Sequence, residues 1–145
     1  MKHFWSVLLL LGSILVISAC NKPNSTITSR LFMTATVGTT TWNAATTSSN
    51  YTVTGVDTTL YVTGKASNGQ MIQLIFLDFH HYTGPYYIGS SAAAAYYTDS
   101  VNYTSAATGQ LIIQTMSAST ITGSFNFKTS DSTMVSMGSF SIKAF

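Results

Sequence analysis

The 145-residue chain has no glutamate, one cysteine and two prolines, and only 7% of its residues are charged. Each scarcity excludes something. Its four acids, Asp57, Asp78, Asp99 and Asp131, form no adjacent pair that suggests glycoside hydrolysis. One cysteine cannot make an intramolecular disulfide. Sparse charge without a basic cluster argues against a nucleic-acid surface. No basic amphipathic segment suggests a second membrane contact. There is no Gly-x-Ser-x-Gly elbow, and no glycine-rich loop that would cradle phosphate ahead of a helix.

The single cysteine, Cys20, ends the run Ile17-Ser18-Ala19-Cys20. Before it, Lys2 and His3 form a short basic start, and Phe4 to Val16 is apolar apart from Ser6, Gly12 and Ser13. A helix of that length spans about 20 Å, too short for a hydrocarbon core of roughly 30 Å. The stretch therefore reads as the apolar region of a signal peptide. Aliphatic, small, small, cysteine resembles the lipobox of signal peptidase II substrates. Residues 1–19 are expected to be removed. The Cys20 sulfur is expected to take a diacylglycerol as a thioether, and its freed α-amine a further acyl chain. Each buried methylene contributes about 0.8 kcal/mol, so two or more chains anchor firmly. Asn21, rather than aspartate, follows the cysteine, and no acidic cluster comes after it. Those two features favour an outer membrane location facing the periplasm over the cell surface.

Removal of residues 1–19 leaves 126 residues, enough for one domain with one core. Residues 20–30 are polar and read as a lipidated tether; residues 31–145 read as the domain. Threonine and serine abound there, and Thr, Val, Ile, Tyr and Phe suit a pleated surface. Apolar runs separated by glycine and polar turns predict an all-β fold. The expected architecture is a single antiparallel β-sandwich or flattened β-barrel of about eight to ten strands.

Strands are expected at Phe32–Val37, Trp42–Thr47, Tyr51–Thr54, Thr58–Ala66, Met71–Phe79, Pro85–Gly89, Ala92–Thr98, Gln110–Met116 and Thr120–Lys128, with a last one from Met134 or Met137. Ser67-Asn68-Gly69 reads as a hairpin turn of type I′, which needs positive φ at both central residues. Met71–Phe79 is apolar on both faces, as in a central strand covered on both sides. In Thr120–Lys128, Ile121, Gly123, Phe125 and Phe127 alternate with polar residues. Phe140 and Ile142 should face inward, and Ser139, Ser141 and Lys143 outward. The last strand is expected to close the sheet. Gly123 should leave room for a large ring from a neighbouring strand, and Trp42 should plug one end of the core.

Several fragments, in order, carry a family resemblance: Val37-Gly38 leading to Trp42-Asn43-Ala44, Gly84-Pro85-Tyr86-Tyr87-Ile88-Gly89, Thr108-Gly109-Gln110-Leu111-Ile112-Ile113, Ile121-Thr122-Gly123-Ser124-Phe125-Asn126-Phe127, and Gly138-Ser139-Phe140-Ser141-Ile142. Following a lipobox, they resemble a family of small uncharacterised lipoproteins of the Bacteroidetes type, labelled as a domain of unknown function. The resemblance implies an all-β domain in the cell envelope. It implies no activity and offers no catalytic residues to carry over.

Two constellations remain as candidate sites. In Asp78-Phe79-His80-His81-Tyr82, a continuing strand would put Asp78 and His80 on one face. Histidine and carboxylate are zinc and copper ligands. Adjacent histidines in a strand point apart, however, and no glutamate or second cysteine supplies a further ligand, so no metal and no cofactor is expected. The second constellation is tyrosine: Tyr82, Tyr86, Tyr87, Tyr96, Tyr97 and Tyr103. Tyrosine joins an apolar face to a polar tip and is enriched at interfaces. These six could form a contact surface for a protein or glycan, or simply a tyrosine-rich packed sheet. The expected role is a non-enzymatic structural or binding lipoprotein. A lipocalin-like carrier of a small apolar ligand is the alternative, and an enzyme of unknown class the third.

Overall fold

The computed structural model describes residues 30–145; the expected lipobox with Cys20 and most of the expected tether lie outside the described residues. Ten strands follow in chain order: β1 (Phe32–Val37), β2 (Thr40–Asn43), β3 (Thr46–Thr54), β4 (Asp57–Lys65), β5 (Met71–Leu77), β6 (Gly84–Tyr87), β7 (Ala92–Tyr97), β8 (Tyr103–Met116), β9 (Thr120–Thr129) and β10 (Met134–Lys143). All ladders between them are antiparallel. The fold is the expected all-β one, a ten-stranded sheet curled into a sandwich.

The strand order is β2-β1-β10-β9-β8-β7-β5-β4-β3, with β6 paired to β8. The long strand β8 joins the two leaves. Its first residues pair with β7, while its later residues pair with β9 on one side and β6 on the other. Register shifts at Ala106/Thr108 and Ile113/Thr115 let β8 bend between the leaves. The far end of the sheet comes round to meet the other leaf, where the Ser49 hydroxyl donates to the Lys143 carbonyl at 2.9 Å.

Both leaves turn alternate residues into one core. Leu60, Val62, Ile72, Leu74 and Phe76 come from one leaf; Met33, Leu111, Ile113, Phe125, Phe127, Phe140 and Ile142 come from the other. Phe125, Phe127, Phe140 and Ile142 are all buried, as their alternation predicts. Trp42 is buried too, with its ring against Gly64.

Several expectations are corrected. Ala44 and Ala45 interrupt the expected Trp42–Thr47 strand: they bond to Met33 and Lys65 in different leaves, so the chain crosses there. Strand β8 begins at Tyr103, seven residues before the expected start at Gln110. Strand β10 lies between β1 and β9, so β2 and β3, not the last strand, end the sheet. Ser141, on the opposite face to its core neighbours Phe140 and Ile142, is nevertheless buried. The turn after β4 is not type I′. Only Gly69 has positive φ, at 90°, and its amide bonds Ala66 while the Ala66 amide bonds Gln70. That pattern is a longer loop closed by a left-handed glycine.

Strand β5 is interior to the sheet, but only one of its faces is fully buried. Ile72, Leu74 and Phe76 point into the core, while Met71 and Ile75 are half-buried and Leu77 is exposed. Phe79 does not share the outer face with them. Asp78 adopts φ of 49°, which turns the chain and sends Phe79 into the core.

Candidate functional site: the outer face around Tyr97 and Tyr103

On β4, β5, β7 and β8 the residues that point away from the core form rows across the strands. One row runs Lys65, Met71, Tyr97, Tyr103, each paired with the next. The adjacent row runs Thr63, Gln73, Ala95, Ser105. A third joins Tyr61, Ile75 and Ala93. The small side chains Ala93 and Ala95 therefore make a low floor along β7, with tall rings at one end.

Tyr97 and Tyr103 face each other across β7 and β8, with ring centroids 5.1 Å apart and planes 29° from parallel. Tyr103 remains 59% exposed, so one ring face lies on Tyr97 and the other is open to solvent. The Tyr97 hydroxyl donates to Gln73 Oε1 at 3.4 Å, which links the ring pair to the hydroxyl and amide row.

The remaining four tyrosines are divided by strand alternation. Tyr86 and Tyr96 point into the core. Burial raises the Tyr86 hydroxyl well above the usual phenol range, with Tyr82 adding to the effect, and burial raises Tyr96 likewise. The Tyr86 hydroxyl bonds the Tyr82 carbonyl at 3.4 Å, and the two rings stack at 5.5 Å. Tyr82 is 48% exposed and Tyr87 54% exposed. Tyr87 stands outward on β6 beside Gln110, away from the Tyr97–Tyr103 pair. The six tyrosines thus form no single surface, and one outward pair stands side by side.

Asp78 and His80 are both exposed, in the turn that follows β5. The strand ends at Leu77, so the strand parity that would align them does not apply. Among the described residues no group of three His, Cys, Asp or Glu side chains could hold a metal ion. His81 instead joins a ring cluster. Its centroid lies 5.2 Å from Tyr51, 5.3 Å from Phe79 and 5.4 Å from Phe145. Tyr51 and Phe145 stack at 4.5 Å, 8° from parallel. Phe79 also packs on Phe76, so the cluster continues the core and covers one end of it.

Acidic side chains near the Tyr103 end are spent on their own turns. Asp99 accepts from the amides of Val101 and Asn102 and from the Asn102 side chain, all at 2.8 Å. Those bonds, to Asn102 first, hold its carboxyl below the usual range. Asp131 accepts from the hydroxyls of Thr129 and Thr104 and from the Thr133 amide. It is held at about 2, with the Thr129 bond the largest cause.

Phe76, Phe79, Tyr86, Phe125, Phe127 and Phe140 are among the fully buried residues of the interior. A cleft of about 800 Å³ lies at the surface beside Arg30, Leu31, Asn43 and Ala44, and reaches down to the core residue Met33. The sequence missed the outer face as a whole, because Met71 and Gln73 become neighbours of Tyr97 only through the pairing of β5 and β7.

In comparison with known proteins, a family described as "Domain of unknown function (DUF6252)" matches residues 14–142. No curated protein and no solved structure matches the chain.

Proposed function

Because the chain belongs to the DUF6252 family, a domain of unknown function, we propose its role from its own chemistry: a lipid-anchored envelope protein that binds a partner without catalysis. The contact face is the outer surface around Tyr97 and Tyr103. The observation that carries this reading is the stacked pair itself, with Tyr103 59% exposed on a strand whose other outward neighbours are small. The large buried rings of Phe76, Phe79, Tyr86, Phe125, Phe127 and Phe140 support a binding surface over a lipocalin-like interior carrier, which would need space inside the sandwich.

The anchor is Cys20, its sulfur carrying a diacylglycerol and its α-amine, freed by removal of residues 1–19, a further acyl chain; the ten residues 21–30 that follow reach at most about 33–36 Å when extended. The domain would work close to the membrane, on its periplasmic side. Cys20→Ser removes the thiol that forms the thioether. Metabolic labelling with a fatty-acid analogue should mark the native protein and not the variant. Equal labelling of both would refute the anchor. Protease treatment of intact cells should spare the domain, and rapid digestion would place it on the cell surface instead.

A further inference from the structure

At one mouth of the sandwich, positions on the core side of the strands are left in the open. Tyr51 and Val53 pair with Leu60 and Thr58, both buried, so they lie on the core side of β3. Yet Tyr51 is only half-buried, and Val53 is 61% exposed. The exposed Phe145 ring stacks on Tyr51, and the exposed His81 packs against both, over the buried Phe79. Val56, in the turn that joins β3 to β4, is 87% exposed. Leu31, two residues before the buried Met33, is exposed where β1 begins beside the end of β10. Exposed apolar side chains grouped in this way mark a contact surface, as single ones do not.

We propose that this rim is the surface the domain lays on a lipid bilayer, with Leu31, Val53, Val56 and Phe145 entering the headgroup boundary, an inference that rests on the Cys20 anchor described above. What selects a bilayer as the occupant is where the tether joins the domain. Arg30 adjoins Leu31 on this rim, and the residues from Cys20 to Ser29 precede it. A tether of at most about 33–36 Å therefore links this mouth, rather than the opposite one, to the acyl chains. Docking is then intramolecular, and a short flexible link supplies an effective concentration on the order of millimolar. An apolar rim too small to hold a free domain on a membrane suffices for one already tethered.

The charges at this mouth suit headgroups that carry both signs. Arg30 and Lys143 are exposed on the side of β1 and β10, and Asp57 and Asp78 on the side of β4 and β5. Their balance matches a zwitterionic surface and gives no preference for an anionic one. Val101, Met134 and Met137 are exposed as well. They belong to the turn between β7 and β8, the start of β10 and the irregularity within β10, all away from the tether. No single segment carries the rim. The ends of β1, β3 and β10 and the turns after β3 and β5 assemble it, so no amphipathic stretch announces it in the sequence. Docking there also holds the Tyr97–Tyr103 pair off the bilayer. Tyr97 pairs with Met71, the first residue of β5, whereas the rim lies beyond Leu77, the last, about 20 Å along the strand.

The test uses the full-length chain, expressed with residues 1–19, purified from membranes and placed in phosphatidylcholine vesicles. Mass spectrometry reads the acyl groups on Cys20. With that sulfur acylated, an introduced cysteine is the one free thiol of the chain. Nitroxides are attached at Val53→Cys and Val56→Cys on the rim, and at Val101→Cys and Met134→Cys as references, all exposed positions. Circular dichroism melts show that each labelled chain is folded. Power saturation compares collisions with oxygen, which partitions into the bilayer, and with a water-soluble nickel chelate. Relative to the references, the rim labels should lose nickel collisions severalfold and gain oxygen collisions. Rim labels as open to nickel as the references overturn the proposal. In an acylated chain that outcome leaves the anchor standing and removes the rim alone. A chain without acyl groups removes the anchor, and with it the reason for a bilayer at this rim.

Discussion

Gly138 lies beneath the ring of Phe125, its direct partner across β9 and β10. Two pairs along the same ladder, Gly123 lies beneath the ring of Phe140. The two pairs are reciprocal: each strand supplies one glycine and one phenylalanine, so each ring fills the space that the other strand leaves empty. Cross-strand pairs of this kind stabilise a sheet through side-chain contact on one face.

Adding one methyl at either glycine tests that arrangement. The atoms nearest a Cβ at Gly138 belong to the Phe125 ring, whereas the atom nearest a Cβ at Gly123 is the backbone carbonyl oxygen of Ile112. A ring can tilt; a ladder carbonyl cannot move without breaking its pairing. Gly138→Ala should cost about 1–3 kcal/mol, the usual range for overpacking, and Gly123→Ala should cost more. Denaturant unfolding of both variants measures this. Equal, small losses would mean that β9 has slack which the register does not show.

Phe125→Ala probes the same contact from the other side. Removing a fully enclosed ring leaves a cavity, with an expected loss of about 3–5 kcal/mol. That is a large share of the 5–15 kcal/mol by which domains are commonly stable. A shift in the unfolding free energy below about 1 kcal/mol would show that the core collapses around the gap.

Thr58 and Phe79 clamp the end of β5 to the start of β4. The Phe79 amide bonds the Thr58 carbonyl at 3.0 Å, and the buried Thr58 hydroxyl donates to the Phe79 carbonyl at 2.6 Å. Thr58→Val keeps the shape and the first bond but leaves the Phe79 carbonyl without its hydroxyl partner. The expected cost is about 1–3 kcal/mol. Amide exchange at Phe79 should remain slow, since its own bond survives. Fast exchange there would show that the hydroxyl, not the ladder, holds the turn.

Strand alternation made much of this core legible in advance. In Thr120–Thr129 each second residue is buried, as the sequence pattern requires. The pattern fails where the chain leaves the strand. Phe79 continues the outer-face parity of Ile75 and Leu77, yet one left-handed residue, Asp78, reverses it. Nothing in the apolar run announces that reversal. The segment from Tyr103 to Gly109 is too polar to read as strand, and it forms one because β7 and β9 pair with it. The outer face was illegible for a related reason. Tyr97 and Tyr103 are close in sequence, but Met71 and Lys65 reach them only through pairings between strands that no local period encodes.

Asp131 supplies a pH dependence whose sign is fixed by its bonds. Its carboxylate accepts from the Thr129 and Thr104 hydroxyls and the Thr133 amide, and its folded pKa falls from 3.8 to about 2. The folded state therefore releases this proton more readily than the unfolded chain does. The stabilisation is fully present above the unfolded pKa near 3.8, and is lost as pH falls through about 2. Asp99 acts in the same direction, its carboxyl lowered by the Asn102 and Val101 bonds. Asp131→Asn removes the ionised acceptor while keeping the side-chain shape. At pH 6 the variant should melt at a lower temperature than the native chain. Between pH 4 and pH 2 the two melting temperatures should converge, because the native carboxylate is then taking up its proton. A gap that stays constant down to pH 2 would show that the aspartate holds its turn through shape and neutral hydrogen bonding, with its charge contributing nothing.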